Sequence, residues 1–303
     1  MKKKINKILV TGAAGFIGHK ICIELIKKKF KVIAVDDLSS GQKCNIIKDI
    51  KFFKLDLSIE KNIKKIPRCD YVFHLAGQSS GDRSFDSPSN DLKKNTLTTI
   101  NLINYSIKNN CKKIIFASSM SVYGNNTSLS VKENDKTAPI SCYGVSKLAS
   151  ENYLKIYSKK INYVIFRMFN VYGPGQNLKD LGQGMVSIYV SQYLKSGKIK
   201  VKGSFNRIRD FIYIDDVVEI WINSLNNKII NQTFNLGTGI STKISKLLRF
   251  ITISKNIKKF SSTRGDQNRI ISNTKKLKLF FNKKNFINIE NGIRKFIEYE
   301  KSK

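Results

Sequence analysis

Three glycines spaced three residues apart, Gly12, Gly15 and Gly18, separate a short apolar run, Ile8–Val10, from a segment whose apolar residues Phe16, Ile17, Ile21, Leu25 and Ile26 recur with helical spacing. A second apolar run, Val32–Val35, follows and ends in Asp36. Strand, glycine turn, helix, strand, acid is the order of a dinucleotide-binding unit. Gly12 permits the tight turn, Gly15 lets the backbone approach a pyrophosphate, and Gly18 lets the helix lie close on the strand. The helix N-terminus, at Phe16 and Ile17, offers unpaired N–H groups and a positive dipole end to the phosphates. An acid closing the second strand accepts ribose hydroxyls. Two of them, Asp36 and Asp37, with no adjacent arginine, repel a 2′-phosphate and predict NAD rather than NADP.

The alternation of strand and helix continues. Phe52–Leu57 predicts a third strand delivering Asp56 to the same edge. Asp70–Gly77 predicts a fourth, where the small residues Ala76 and Gly77 let a flat ring lie against the backbone. Asp91–Lys108 predicts an amphipathic helix with Asn95 on its course, and Lys113–Ala117 a fifth strand running into Ser118 and Ser119. Residues 125–142 read as a loop, Tyr143–Lys159 as a helix and Tyr163–Phe169 as a sixth strand. Beyond Pro174 the rhythm loosens, and Arg209–Asp216 and Thr233–Gly239 read as short returns to the sheet. The predicted class is α/β: a Rossmann-type doubly wound parallel sheet with a smaller, interleaved C-terminal α/β substrate lobe. Residues 1–174, with returns near 207–220 and 233–240, are assigned to the nucleotide-binding domain, and 175–206 with 241–303 to the substrate-binding lobe.

Composition narrows the setting. A chain of 303 residues buries roughly three quarters of its unfolded surface. No stretch approaches the ~20 apolar residues of a membrane span, and the basic start, Lys2–Lys4, lacks the apolar run of a secretory leader. A cytoplasmic protein without a membrane partner is expected. Five scattered cysteines, with no Cys-x-x-Cys pair, predict reduced and mostly buried thiols. His19 and His74 are the only histidines, too few for a histidine zinc site or a Ser-His-Asp triad, and no metal is predicted. The formal charge of +33 would suit a polyanion. The lysines, however, are spread along the chain, with small clusters at Lys27–Lys29 and Lys258–Lys259 and no arginine-rich tract. The charge therefore reads as composition, and no specific nucleic-acid partner is expected.

Tyr143 and Lys147, four apart on a predicted helix, share one face. A phenol ionises near 10, too high for a base at neutral pH. A neighbouring ammonium favours phenolate and is expected to lower that value by roughly 1–3 units. The pair gains weight from its position after the Ser-Ser loop of the fifth strand.

Taken with Thr11–Gly18, Val35–Gly41, His74–Gly77, Ser118–Gly124, Asn170–Pro174 and Arg209–Asp216, the Tyr143–Lys147 segment resembles the extended short-chain dehydrogenase/reductases. Within them it is most similar to NAD-dependent nucleotide-sugar epimerases of the UDP-glucose 4-epimerase type. The matches run in order over about residues 5 to 270. The resemblance implies Tyr143 as base, Lys147 as its tuner and ribose anchor, and Ser119, beside Ser118, as the hydroxyl that positions the sugar. It implies Asn170 and Arg209 at the diphosphate of a UDP-linked substrate and Asp266 at its ribose. It extends the cofactor contacts beyond the glycine turn and Asp36, Asp37 and Asp56 to Leu57, Leu75, Ala76, Gly77, Asn95 and Ser118. It further implies a homodimer through the helices at 91–109 and 143–158, whose outward faces read as polar. Two departures stand out. Met120 and Ser121 replace the acids of the family's dehydratases and decarboxylases, which disfavours elimination. Arg264-Gly-Asp266 is shifted from the usual Arg-Pro-Gly-Asp, so the resemblance assigns Arg264 no role. The reading is a nucleotide-sugar epimerase inverting C4 through a 4-keto sugar. The alternatives are a 4-ketoreductase or dehydrogenase and, from another class, an inactive NAD-binding protein with a basic polyanion-binding surface.

Overall fold

Ile8 and Val10 face one core cluster and Leu9 the other, and all three are fully buried. A strand apolar on both faces belongs inside a sheet covered on both sides. The computed structural model describes residues 6–126, 128–180, 182, 184–252, 256–262 and 264–303; Lys2–Lys4 lie outside the described residues. In it, Lys7–Thr11 (β1) sits within a seven-stranded sheet. On one side of β1 run Lys31–Asp36 (β2) and Lys51–Lys54 (β3). On the other run Tyr71–His74 (β4), Lys113–Ser119 (β5), Asn162–Met168 (β6) and, at the edge, Gln232–Leu236. Every pairing is parallel, so the strand ends Thr11, Asp36, His74 and Ser119 share one edge. The chain winds outward from β1 through β2 to β3, then resumes on the other side at β4. That reversal opens a crevice at the carboxyl ends of β1 and β4, where ligands bind in open α/β sheets.

The helix Phe16–Lys27 (α1) covers one face with Ile21 and Leu25, while Leu102, Ile103 and Leu154 cover the other. The stretch 207–220 departs from expectation, because it adds no strand to this sheet. Ile208–Arg209 pairs with Thr242–Lys243 and Arg269–Ile270, and Phe211–Tyr213 pairs with Asn170–Tyr172. The remainder is a helix, Ile214–Asn223, begun by Asp215 and Asp216 at its positive end. It packs on the sheet through Trp221, whose ring meets that of Phe73 edge-on at 5.4 Å.

The helix expected over 91–108 begins earlier, at Pro88, and is interrupted. Pro88–Leu92 and Thr98–Lys108 are α-helical, but Lys93–Leu97 forms a π-helical turn. Beyond the sheet, Ile199–Lys202 pairs in parallel with Ile257–Phe260, so the segments on either side of the returning strand interlock. Cys22, Cys69 and Cys111 are buried, Cys142 is half-buried and Cys44 is exposed; all five are free thiols. Among the described residues no helix is long and apolar enough to cross a membrane.

Candidate active site

The crevice is a cavity of about 590 Å³. Its floor is the glycine turn. Gly12 has φ +69° and sits so close to the Ala76 backbone that a side chain has no room. Gly15, Phe16, Ile17 and Gly18 line the cavity at the start of α1, and Leu75, Ala76 and Gly77 form the facing wall at the end of β4. The Asp36 carboxylate accepts N–H bonds from Ala14 (2.9 Å) and Leu38 (2.8 Å), which ties the end of β2 to the turn. Burial holds its carboxyl above the ordinary range, and the two N–H bonds only partly offset this. Asp37, Asp56 and Leu57 also line the crevice. Both of these acids receive the Lys94 ammonium, at 2.6 and 2.8 Å. The sequence offered no signal for that lysine, which lies 57 residues from one partner and 38 from the other.

Asn95, next along the π turn, is fully buried. Its Nδ2 donates to Asp91 and to Ser146 (3.1 Å each), while its Oδ1 finds no partner beside Gly77. A buried acceptor left unpaired is costly. This one lies directly behind Gly77, which lines the cavity, while Asn95 itself does not. The glycine cradle and the acid-lined end of β2 fit a dinucleotide.

At the other end, Ser119, Tyr143 and Lys147 come together on the cavity wall. The helix Cys142–Ile156 is capped by Ser141, whose hydroxyl accepts from the Gly144 N–H at 3.1 Å, and so presents Tyr143 in its first turn. The Lys147 ammonium donates to the Ala117 carbonyl at 3.0 Å and lies 5.8 Å from the centre of the Tyr143 ring. The expected lowering of the phenol is not what these surroundings produce. Burial pushes Tyr143 up to about 12, with the Ser119 hydroxyl acting the other way. Burial also pushes Lys147 down to about 8. In so dry a corner, the cost of desolvating charge outweighs the help of a cation held against a carbonyl.

The two serines of β5 both line the cavity, but their hydroxyls have different partners. The Ser118 hydroxyl donates to Glu151 at 2.6 Å, within a buried ion pair of Glu151 with Arg167 (2.8 Å). Ser119 accepts from the Ser121 N–H and is the one of the two that meets the Tyr143 hydroxyl. Asn170 lines the cavity, its Nδ2 donating to the Asp210 carbonyl at 2.8 Å. Arg209 and Asp266 do not line it. They pair with each other at 2.5 Å, and Asp266 also holds Arg207. Arg264 faces outward, paired with Asp82 and Asp86. His74, buried between the Thr11 and Thr99 hydroxyls at 3.0 Å each, stays neutral because burial holds it far below its usual range. Among the described residues no group of acids, histidines and cysteines could hold a metal.

A glycine-floored crevice at the switch point of a parallel sheet, with a tyrosine and a lysine on its far wall, defines a nucleotide-dependent enzyme of the short-chain dehydrogenase/reductase kind. A profile of the NAD dependent epimerase/dehydratase family matches residues 8–237, and the chain belongs to that family, whose cofactor is NAD. A Methanocaldococcus jannaschii protein provisionally named UDP-glucose 4-epimerase is 39% identical over 249 residues, 80% of this chain and 81% of its own. The crystal structure of Thermotoga maritima UDP-glucose 4-epimerase with UDP-glucose is similar with a TM-score of 0.94 at 32% identity, covering 98% of this chain and 99% of that one. That of Thermus thermophilus UDP-glucose 4-epimerase in complex with NAD is similar with a TM-score of 0.91 at 27% identity, covering 97% and 99%.

Proposed function

We propose that the chain inverts C4 of a UDP-linked hexose with tightly held NAD, by transient oxidation to the 4-keto sugar. The observation that carries this is the grouping of Ser119, Tyr143 and Lys147 on the wall opposite the glycine turn. Bound NAD would accept and return the C4 hydride. Tyr143 removes the proton of the C4 hydroxyl and gives it back after the keto sugar has turned over about its diphosphate. Ser119 would hold that hydroxyl in line, and Lys147, one helical turn from Tyr143, would stabilise phenolate and reach a ribose once the cofactor is bound. Asn170, at the cavity wall, would take the substrate diphosphate. Arg209 and Asp266, paired with each other off the cavity wall, would reach the diphosphate and the ribose only by rearranging, Asp266 giving up its pairs with Arg207 and Arg209. Positioning of this kind supplies most of the acceleration. A positioned base adds about 10²–10⁴.

The test is Tyr143→Phe, assayed by NMR for inversion of UDP-glucose at C4 while absorbance is followed in the NADH band. Turnover should fall by about 10²–10⁴ with NAD still bound, and wild type should form product without net NADH. Near-normal turnover of the variant removes Tyr143 from the chemistry, and net NADH formation by wild type favours a dehydrogenase instead.

The chain is further proposed to form a homodimer. Leu92 and Leu97, with Val145, Tyr153 and Ile156 on the helix Cys142–Ile156, are exposed. That apolar surface runs against the polar faces expected from sequence, and it suits a second copy.

A further inference from the structure

The π turn Lys93–Leu97 sends Lys94 into the crevice at the point where two loops converge. π turns cluster at functional sites because they break the helix's regular presentation of side chains. This one is held by two hydroxyls, Thr98 donating to the Lys93 carbonyl at 3.2 Å and Thr99 to that of Asn95 at 2.8 Å. The loops that meet Lys94 are built alike. After β2, Asp37 Oδ1 accepts from the N–H and hydroxyl of Ser39 (2.9 and 2.6 Å). After β3, Asp56 Oδ1 accepts from the N–H and hydroxyl of Ser58 (3.0 and 2.7 Å). Each carboxylate thus spends one oxygen on its own loop and turns Oδ2 to Lys94, at 2.6 and 2.8 Å. Among the described residues no other cation pairs with both loops.

We propose that Lys94 is a positioning residue for the adenosine half of NAD, cross-tying the loops after β2 and β3 so that the ribose and adenine contacts are set before the cofactor arrives. The inference rests on the NAD reading of the crevice. Two carboxylate oxygens that both lie within 2.8 Å of one ammonium nitrogen would repel each other and part without it. Lys94 is accordingly held above its usual range: burial works to lower it, but the hydrogen bonds and charges of Asp37 and Asp56 prevail. Preorganisation of this kind lowers the ordering cost of binding, and its loss appears mainly in the release rate.

The experiment follows exchange of bound NAD for isotopically labelled NAD in wild type, Lys94→Met, Asp37→Asn and the double variant. Lys94→Met should release NAD about tenfold faster, the effect of two partly exposed ion pairs. With NAD saturating, kcat and the KM for UDP-glucose should be unchanged. The double variant should be no worse than Asp37→Asn alone, because Lys94 acts only through the tie that Asp37→Asn already breaks. UDP affinity serves as the fold control. Wild-type exchange in Lys94→Met, multiplying effects in the double variant, or a parallel loss of UDP affinity overturns the proposal. A wild-type protein that neither carries nor takes up NAD overturns the cofactor reading itself, which is a separate result.

Discussion

Replacing Gly18 by alanine separates the two jobs of the glycine turn. A Cβ at Gly18 would run into the Gly12 carbonyl oxygen and lie 2.8 Å from its carbon and 3.1 Å from Ala13 Cα. All three atoms are backbone, so no side-chain rotation relieves them. Alanine is preferred to glycine inside a helix by about 1 kcal/mol, and α1 would gain that. Overpacking against a rigid neighbour costs about 1–3 kcal/mol, sometimes more, and a clash with the backbone of the turn belongs at the upper end. The clash wins by about 1–2 kcal/mol, a drop of roughly 2–8 °C in melting temperature for a domain of this size. Retained NAD should fall as well, since Gly12 must move. Gly15→Ala is the contrast. Its Cβ meets only the Gly12 oxygen, at 3.1 Å, from an ordinary extended backbone. Its stability should stay within about 1 kcal/mol of wild type, while NAD retention drops at least tenfold because the methyl lies where the phosphates approach. Thermal unfolding and mass analysis of co-purified NAD read both quantities. A Gly18→Ala protein as stable as wild type and fully loaded would refute the packing argument.

Two further substitutions test the site and the assembly. Lys147 ionises at about 8 in the fold against 10.5 ordinarily. Between those values the unfolded chain therefore holds a proton that the folded chain lacks, and raising pH favours folding. The stability of wild type relative to Lys147→Met should rise from pH 8 to 10.5 in denaturant titrations, and a flat difference would show that Lys147 is not desolvated. Val145→Glu, at an exposed position on the helix Cys142–Ile156, should shift the mass measured by light scattering from dimer to monomer with the melting temperature little changed. An unchanged mass would move the interface elsewhere.

What could be read in the sequence is what is local. The glycine turn, the acid closing β2 and the Tyr143–Lys147 spacing each lie within one or two turns of chain, and the parallel sheet follows from apolar runs alternating with helical periods. The features missed are long-range or irregular. A π turn has no apolar period to betray it, so the break at Lys93–Leu97 was invisible. The stretch from Arg209 does form short strands, but they pair with Asn170–Tyr172 and with Thr242–Lys243 and Arg269–Ile270 and not with the main sheet, and a local apolar run does not fix its partner. Lys94 and Arg207 looked like two cations among many, and only the fold shows that each is paired with an acid far away in sequence. The direction of the Tyr143 shift was missed for a related reason. Spacing gives the distance to a charge, but burial depends on everything packed around it.

The pairing of charge around the crevice also bears on which reaction the site favours. Elimination of water from a sugar needs a second proton donor and acceptor near the base. Among the described residues, the carboxylates lining the cavity are Asp36, Asp37, Asp56 and Asp180. Asp36 is held by backbone N–H groups, Asp37 and Asp56 share Lys94, and Asp180 receives Arg83 at 2.6 Å. The positions that follow Ser119, where a dehydratase would need its acids, carry Met120 and Ser121, and both line the cavity. Chemistry at this wall therefore has the Tyr143 phenol, the hydroxyls of Ser118, Ser119 and Ser121 and the Lys147 ammonium with which to move protons, and no acid beside the phenol. One phenol can take a proton from a hydroxyl and return it. That is the proton transfer the proposed inversion needs, and it is the ground for preferring inversion to dehydration in the proposal.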